Sequence, residues 1–147
     1  MKVFVTGVGG QLGYDVINEL TARGYKAIGS DILDNSNAEN YVKLDVTDAD
    51  AVREALCEIK PDAVVHCAAW TAVDAAEDEE NKEKVYSINS AGTENIAKVC
   101  KELDCKMVYI STDYVFDGKS FKPYAEDASV SPTNVYGRTK LAGEKAL

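Results

Sequence analysis

The stretch Lys2-Val3-Phe4-Val5-Thr6-Gly7-Val8-Gly9-Gly10-Gln11-Leu12-Gly13 decides how the chain folds. Lys2–Thr6 predicts a short strand, and the glycines after it predict a tight turn. Gln11–Arg23 then carries Leu12, Val16 and Leu20 at helical spacing, with Gly24 closing the helix. A strand, a Gly7-x-x-Gly10-x-x-Gly13 turn and a helix aim backbone N–H groups and the positive end of a helix dipole at one spot. That layout suits a dinucleotide pyrophosphate, because glycine lets phosphate and neighbouring strand come close. The candidate contacts are Gly7, Gly10, Gln11, Leu12 and Gly13. A tight strand–helix turn with no ligand is the plain alternative.

Outward from this stretch, apolar strands alternate with helices. Lys26–Ser30 predicts a second strand ending at Asp31, Asp34–Asn40 a polar loop, and Tyr41–Leu44 a third strand. A helix from about Asp48 to Ile59 takes Thr47 or Asp48 as its cap. Pro61-Asp62 breaks the chain before Ala63–Cys67, a fourth, fully apolar strand. A long helical region carrying Val85, Ile88, Ile96, Val99 and Leu103 is broken or bent near Glu83–Asn89, and Lys106–Ser111 is the fifth strand. This order predicts an α/β chain: a Rossmann-like, doubly wound parallel sheet with helices on both faces and ligands at the carboxyl ends of the strands. Thr112–Thr133 reads as a loop long enough to need a purpose. The last helix starts near Asn134 and runs to Leu147 with neither a glycine cap nor a terminating proline.

Composition narrows the function classes. A chain of 147 residues with 46% hydrophobic and 28% charged content fits one soluble domain. No stretch approaches the roughly 20 apolar residues of a membrane span, and the chain starts directly with a strand, so a cytoplasmic location and no membrane partner are expected. A net charge of −9 argues against a nucleic-acid partner. Six of the ten residues Asp74–Glu83 are acidic, which reads as a solvated helix face. Cys57, Cys67, Cys100 and Cys105 form no C-x-x-C pair and the single histidine, His66, sits in an apolar run, so reduced thiols and no metal are expected.

Asp31 lies at the end of the second strand, where a carboxylate accepts hydrogen bonds from adenosine ribose hydroxyls and repels a 2′-phosphate. Residues 30–34 hold no Lys or Arg, so NADH is favoured over NADPH; a strand-end cap is the alternative role. Asp45 and Val46 follow the third strand, where they can flank the adenine. Ala68, Ala69 and Trp70 end the fourth, the two alanines letting backbone pack on the cofactor; Trp70 is equally a packing residue. Ser111-Thr112-Asp113 ends the fifth strand at the same sheet edge, and Tyr136 and Lys140 share one helix face by their i, i+4 spacing. A lysine ammonium and a positive nicotinamide would lower the tyrosine pKa from its usual ~10 and make Tyr136 a proton donor to a carbonyl receiving hydride. Chance alone gives about 0.7 such Tyr-x-x-x-Lys pairs in a chain of this composition, so the pair is informative only beside the other signals.

With Gly7-x-x-Gly10-Gln11-Leu12-Gly13, the chain also carries Ala68-Ala69-Trp70-Thr71-Ala72-Val73-Asp74-x-x-Glu77, Ser111-Thr112-Asp113-Tyr114-Val115-Phe116-Asp117-Gly118 and Tyr136-Gly137-x-Thr139-Lys140-x-x-Gly143-Glu144. In these segments it resembles the extended short-chain dehydrogenase/reductase family over essentially its whole length. The resemblance implies a catalytic trio of Thr112, Tyr136 and Lys140, substrate contacts from Thr112 and Asp113, and, at Asn89, the family's asparagine on the helix behind the active site. It implies NAD(P)H-dependent reduction of the 4-keto group of a dTDP-6-deoxy sugar to dTDP-L-rhamnose, with either NADH or NADPH accepted. It further implies that residues 1–147 are a truncated NAD(P)-binding Rossmann domain, that a C-terminal substrate domain is absent, and that the chain alone binds cofactor only. The expected partner is the dTDP-sugar; a homodimer stays open. Two other readings remain at this point. A nucleotide-sugar epimerase or dehydratase shares the fold, although a dehydratase wants Asp-Glu after the threonine and Asp113 is followed by Tyr114. A non-catalytic regulatory subunit shares the fold too, although such relatives tend to lose the catalytic trio.

Overall fold

Among the described residues, short runs centred on Val and other apolar side chains give five strands: β1 (Lys2–Thr6), β2 (Lys26–Asp31), β3 (Tyr41–Lys43), β4 (Ala63–His66) and β5 (Lys106–Tyr109). All pairs are parallel, in the order β3-β2-β1-β4-β5, so the doubly wound α/β expectation holds. The computed structural model describes residues 1–34 and 40–147; most of the expected polar loop, residues 35–39, lies outside the described residues. Three strands end earlier than expected, which leaves Leu44, Cys67, Ile110 and Ser111 just beyond them, although Leu44 N still donates to Asp31 O of β2 at 2.9 Å. All four line the cavity at the carboxyl edge of the sheet.

Among the described residues four α-helices lie between strands, α1 (Gln11–Ala22), α2 (Ala49–Ile59), α3 (Glu79–Tyr86) and α4 (Thr93–Glu102), and α5 (Val135–Glu144) follows β5. Asp48, not Thr47, caps α2, its Oδ1 accepting from Asp50 N at 3.1 Å and Ala51 N at 3.0 Å, a bond pair worth about 1 kcal/mol. Thr47 instead donates its hydroxyl to Asp45 Oδ1 at 2.7 Å. The expected bend between α3 and α4 is a wide π turn over Ser87–Gly92. Helix α5 ends at Glu144, short of the expected Leu147, because its last turn tightens: the amides of Ala146 and Leu147 bond three residues back. Among the described residues no helix is long and apolar enough to cross a membrane, and all four cysteines are free thiols.

Strand pleating splits the apolar residues between two faces. Phe4, Val64, Val52, Leu56 and Ile96 form the main core beneath α2 and α4, each side chain contributing about 1.5–3 kcal/mol by leaving water. On the other face α1 packs on β1 and β2; its Ile17 comes so close to Gly29 that a Cβ there would lie 2.8 Å from it. Val5, Val65 and Val108 form one row across this face. Exposure climbs along the row, from 0% at Val5 to 52% at Val108.

His66 is buried in β4 yet fully satisfied. Its Nδ1 lies 2.8 Å from Thr6 Oγ1 and its Nε2 lies 3.2 Å from Thr93 Oγ1. Thr93 gives its only hydroxyl proton to Asn89 O at 2.8 Å, so the network places the imidazole proton on Nε2 and makes Nδ1 the acceptor. Burial, and then the charge of Lys140, pull the His66 pKa down to about 3.

Two outcomes are expected from urea denaturation. Val5→Ala should cost about 2 kcal/mol while Val108→Ala costs less than about 0.5; equal losses would mean that the outer row is covered in solution. Because the unfolded chain protonates His66 below about 6.5 and the native chain does not until about 3, the native-state contribution is complete above 6.5 and is lost on acidification. Stability should therefore fall by up to about 1.4 kcal/mol per pH unit between those values. His66→Gln should flatten that slope, and an unchanged slope would assign it to other groups.

Candidate active site

Thr6, Ser30, Asp31, Cys67, Ile110 and Ser111, at or just beyond strand ends, surround one cavity of about 440 Å³. Gly7 turns the chain there with φ +72°, and a Cβ on it would lie 2.6 Å from Ala68 N. A Cβ on Gly13 would lie 2.2 Å from Gly7 O, so only glycine lets α1 start this close to the turn. Gly10 caps α1 without a side-chain oxygen, which leaves the first-turn N–H groups to an anion. Gly7, Gly10, Gln11, Leu12 and Gly13 all line the cavity, as do Asp31, Asp45, Val46, Ala68 and Ala69.

Asp31 Oδ2 accepts from Gly9 N at 2.9 Å and its Oδ1 from Leu33 N at 3.3 Å. The carboxylate therefore sits beside the glycine turn. Asp45 Oδ1 holds Thr47 N at 2.9 Å. Trp70 does not line the cavity. Its ring packs against the cluster of Ala76, Val85 and Val135, and its Nε1 donates to Ala72 O at 3.0 Å. Only the backbone of Trp70 is tied to a site element, exchanging hydrogen bonds with the Asn89 amide at 2.8 and 3.1 Å.

Helix α5 brings Tyr136 and Lys140 to the cavity wall. Asn134 Oδ1 caps it through Gly137 N at 2.7 Å, and Glu77 Oε1 accepts from Val135 N at 2.6 Å. Sequence reasoning missed that second anchor, because Glu77 looked like one more member of a solvated acidic run. Asn89 fixes the same helix from the π turn, donating to Thr139 Oγ1 at 3.1 Å. Ser111 lines the cavity but Thr112 and Asp113 do not. Thr112 caps a one-turn 3₁₀ helix, its hydroxyl oxygen accepting from Tyr114 N at 3.2 Å, and donates to Asp113 Oδ1 at 3.2 Å.

The electrostatics of the free chain treat the two groups separately. Burial pushes the Tyr136 phenol above its ordinary value; the Thr112 hydroxyl pulls it down, and the Asp113 charge and Tyr114 push it up. Lys140 turns instead to the neighbouring strand. Its ammonium lies 4.2 Å from the centre of the Tyr109 ring, and burial lowers its own pKa to about 8 against the pull of Glu144 and Cys67. Among the described residues no group of three or more His, Cys, Asp or Glu side chains could hold a metal ion.

The family model described as RmlD substrate binding domain matches residues 1–147. A dTDP-4-dehydrorhamnose reductase of Mycolicibacterium smegmatis is 40% identical over 147 residues, covering 99% of this chain and 41% of the relative. The crystal structure of a dTDP-4-dehydrorhamnose reductase from Clostridium acetobutylicum superposes with a TM-score of 0.88 at 38% identity, over 99% of this chain and 48% of that one. One from Bacillus anthracis, solved in complex with NADP, gives 0.86 at 38% identity, over 99% and 49%. The chain spans about half the length of the curated relatives it matches. A glycine turn on a parallel sheet, a Tyr–Lys helix beside it and a match along every residue place this chain in the RmlD substrate binding domain family.

Proposed function

We propose that this chain is the nicotinamide-nucleotide-binding half of an enzyme that reduces the 4-keto group of a dTDP-6-deoxy sugar. The observation that carries the reading is convergence: the glycine turn, Asp31, Tyr136 and Lys140 all face one cavity. The relatives' names supply the sugar nucleotide, and the NADP bound by the Bacillus anthracis relative supports a nicotinamide cofactor. The chain's own residues fit that group: the uncapped α1 N-terminus suits a pyrophosphate, and Asp31 suits a ribose diol and repels a 2′-phosphate, which favours NADH.

When bound, the cofactor supplies hydride to the carbonyl carbon. Tyr136 gives the proton to the carbonyl oxygen, the task for which its position at the cavity wall suits it. The ammonium of Lys140 holds ribose hydroxyls and, once drawn toward the phenol, eases proton loss from Tyr136. Thr112, beside the phenol, orients the carbonyl, and Asp113 meets the sugar. A substrate domain, corresponding to the half of the relatives that this chain does not span, would close the second wall of the cleft, positioning substrate and excluding water. The 147-residue chain alone is therefore a cofactor binder with little or no turnover.

Calorimetric or fluorescence titration of the chain should show saturable NADH binding, and Asp31→Arg should shift preference toward NADPH. A folded chain that binds neither nucleotide removes the cofactor-site reading. Turnover is tested in a chimera in which this chain replaces the matched half of the Mycolicibacterium smegmatis relative. There Tyr136→Phe should leave NADH affinity within about twofold and cut reduction by about 10²- to 10⁴-fold, the usual worth of a positioned acid. Lys140→Ala should harm both, and Thr112→Val mainly the rate. Near-normal turnover by Tyr136→Phe would transfer the proton-donor role elsewhere.

A further inference from the structure

The last residue of β5, Tyr109, is half-buried between β4 and α5 and takes no part in the reaction proposed above. Three contacts tie it to Lys140 and its surroundings. The Lys140 ammonium lies 4.2 Å from the centre of its ring. Its hydroxyl donates to the backbone carbonyl of Lys140 at 3.1 Å. Its ring also stacks near-parallel on His66, with centroids 6.1 Å apart. Helix α5 is shaped to receive this side chain: a Cβ on Gly143 would lie 2.4 Å from the Tyr109 hydroxyl oxygen and 2.8 Å from Asn89 O, so a larger residue there would force the phenol out.

We propose that Tyr109 is a positioning residue for Lys140: its ring is the seat on which the ammonium rests. The proposal deepens the reading of the cavity as a nicotinamide-nucleotide site, on which its cofactor consequence rests. Lys140 is only 3% exposed, so its charge has lost most of its water. The groups that face it are Glu144 on its own helix, Cys67 just beyond β4, His66 in β4 and Tyr109 in β5. His66 stays neutral, and the Cys67 thiol is pushed up by burial. The negative face of the Tyr109 ring is thus the close partial charge available on the β5 side, and an aromatic face stabilises a desolvated ammonium. Burial also pushes the Tyr109 phenol upward, which keeps it protonated and donating to the Lys140 carbonyl. The ring holds the ammonium at the cavity wall, ready for ribose hydroxyls, instead of letting it pair permanently with Glu144.

The test reads Lys140 directly. The chain is labelled with [ε-¹³C]lysine, the Lys140 signal is assigned with Lys140→Arg, and its shift is followed with pH in parallel with NADH affinity. The parent midpoint should lie near 8. Tyr109→Phe keeps the ring and should hold the midpoint within about 0.3 units, whereas Tyr109→Leu should lower it by about 0.4–1.5 units, the worth of a lost cation–π contact. At pH 7.5 the leucine variant should bind NADH about 1.4- to 8-fold more weakly, as its protonated fraction falls, with phenylalanine restoring affinity. If leucine prevents folding, 3,4,5-trifluorophenylalanine at position 109 keeps the ring's shape while draining its negative face, and should lower the midpoint relative to Tyr109→Phe. A midpoint indifferent to leucine, or to fluorination, overturns the proposal. A midpoint that moves in a chain that never binds NADH upholds the seat and sinks the cofactor reading instead.

Discussion

A buried file of hydrogen bonds holds the two halves of the site in register. Ala68 N donates to Thr6 Oγ1 at 3.1 Å, Thr6 to His66, His66 to Thr93, and Thr93 to the carbonyl of Asn89. The Asn89 amide then reaches Thr139 on α5, and Thr139 donates to Tyr136 O at 2.8 Å. The file starts where the glycine turn leaves β1 and ends on the helix of Tyr136 and Lys140. Unpairing any buried member would cost about 1–3 kcal/mol, and among the described residues no buried side-chain polar atom lacks a partner. A π turn at Ser87–Gly92 is what points Asn89 both at the Trp70 backbone and at Thr139; a regular α-helix would space these carbonyls and side chains differently.

Upon this frame the cavity gains a division of labour. The glycine side is backbone chemistry: close approaches at Gly7 and Gly13, an uncapped helix start and one carboxylate, Asp31. The helix side is the chemistry of buried side chains, with the Tyr136 phenol pushed up and the Lys140 ammonium pushed down to about 8. Burial works against the charged form of each, yet a pKa of about 8 leaves Lys140 mostly an ammonium at neutral pH. Ligand charge and the loss of water on binding are what would redirect the pair toward proton transfer.

Much of this was legible in the sequence where a residue's role depends on local pattern. Continuous apolar runs marked the parallel strands, and Gly7, Gly10 and Gly13 marked the turn, because both signals live within a dozen residues. Roles that depend on who lies opposite were not legible. Glu77 anchors Val135 across 58 residues of chain, and an acidic run carries no mark of which member turns inward. Trp70 read equally as site or packing, and the second cluster decided for packing. Tyr109 read as one apolar strand residue among others, since nothing local shows that Lys140 lies over it. In the free chain the Lys140 ammonium lies over the Tyr109 ring, a neighbour the sequence did not mark, because i, i+4 spacing fixes a shared face but not what lies across from it.

The central claim is that the glycine turn and the Tyr–Lys helix form one binding site. The most direct measurement is backbone and lysine NMR of the ¹⁵N,¹³C-labelled chain titrated with NADH. Gly7, Gly10, Gln11 and Asp31 should shift together with Tyr136 and Lys140, at one common Kd, while Phe121 and the exposed outer row at Val108 stay still. Shifts confined to one side of the cavity, or two different Kd values for the two sides, would contradict it.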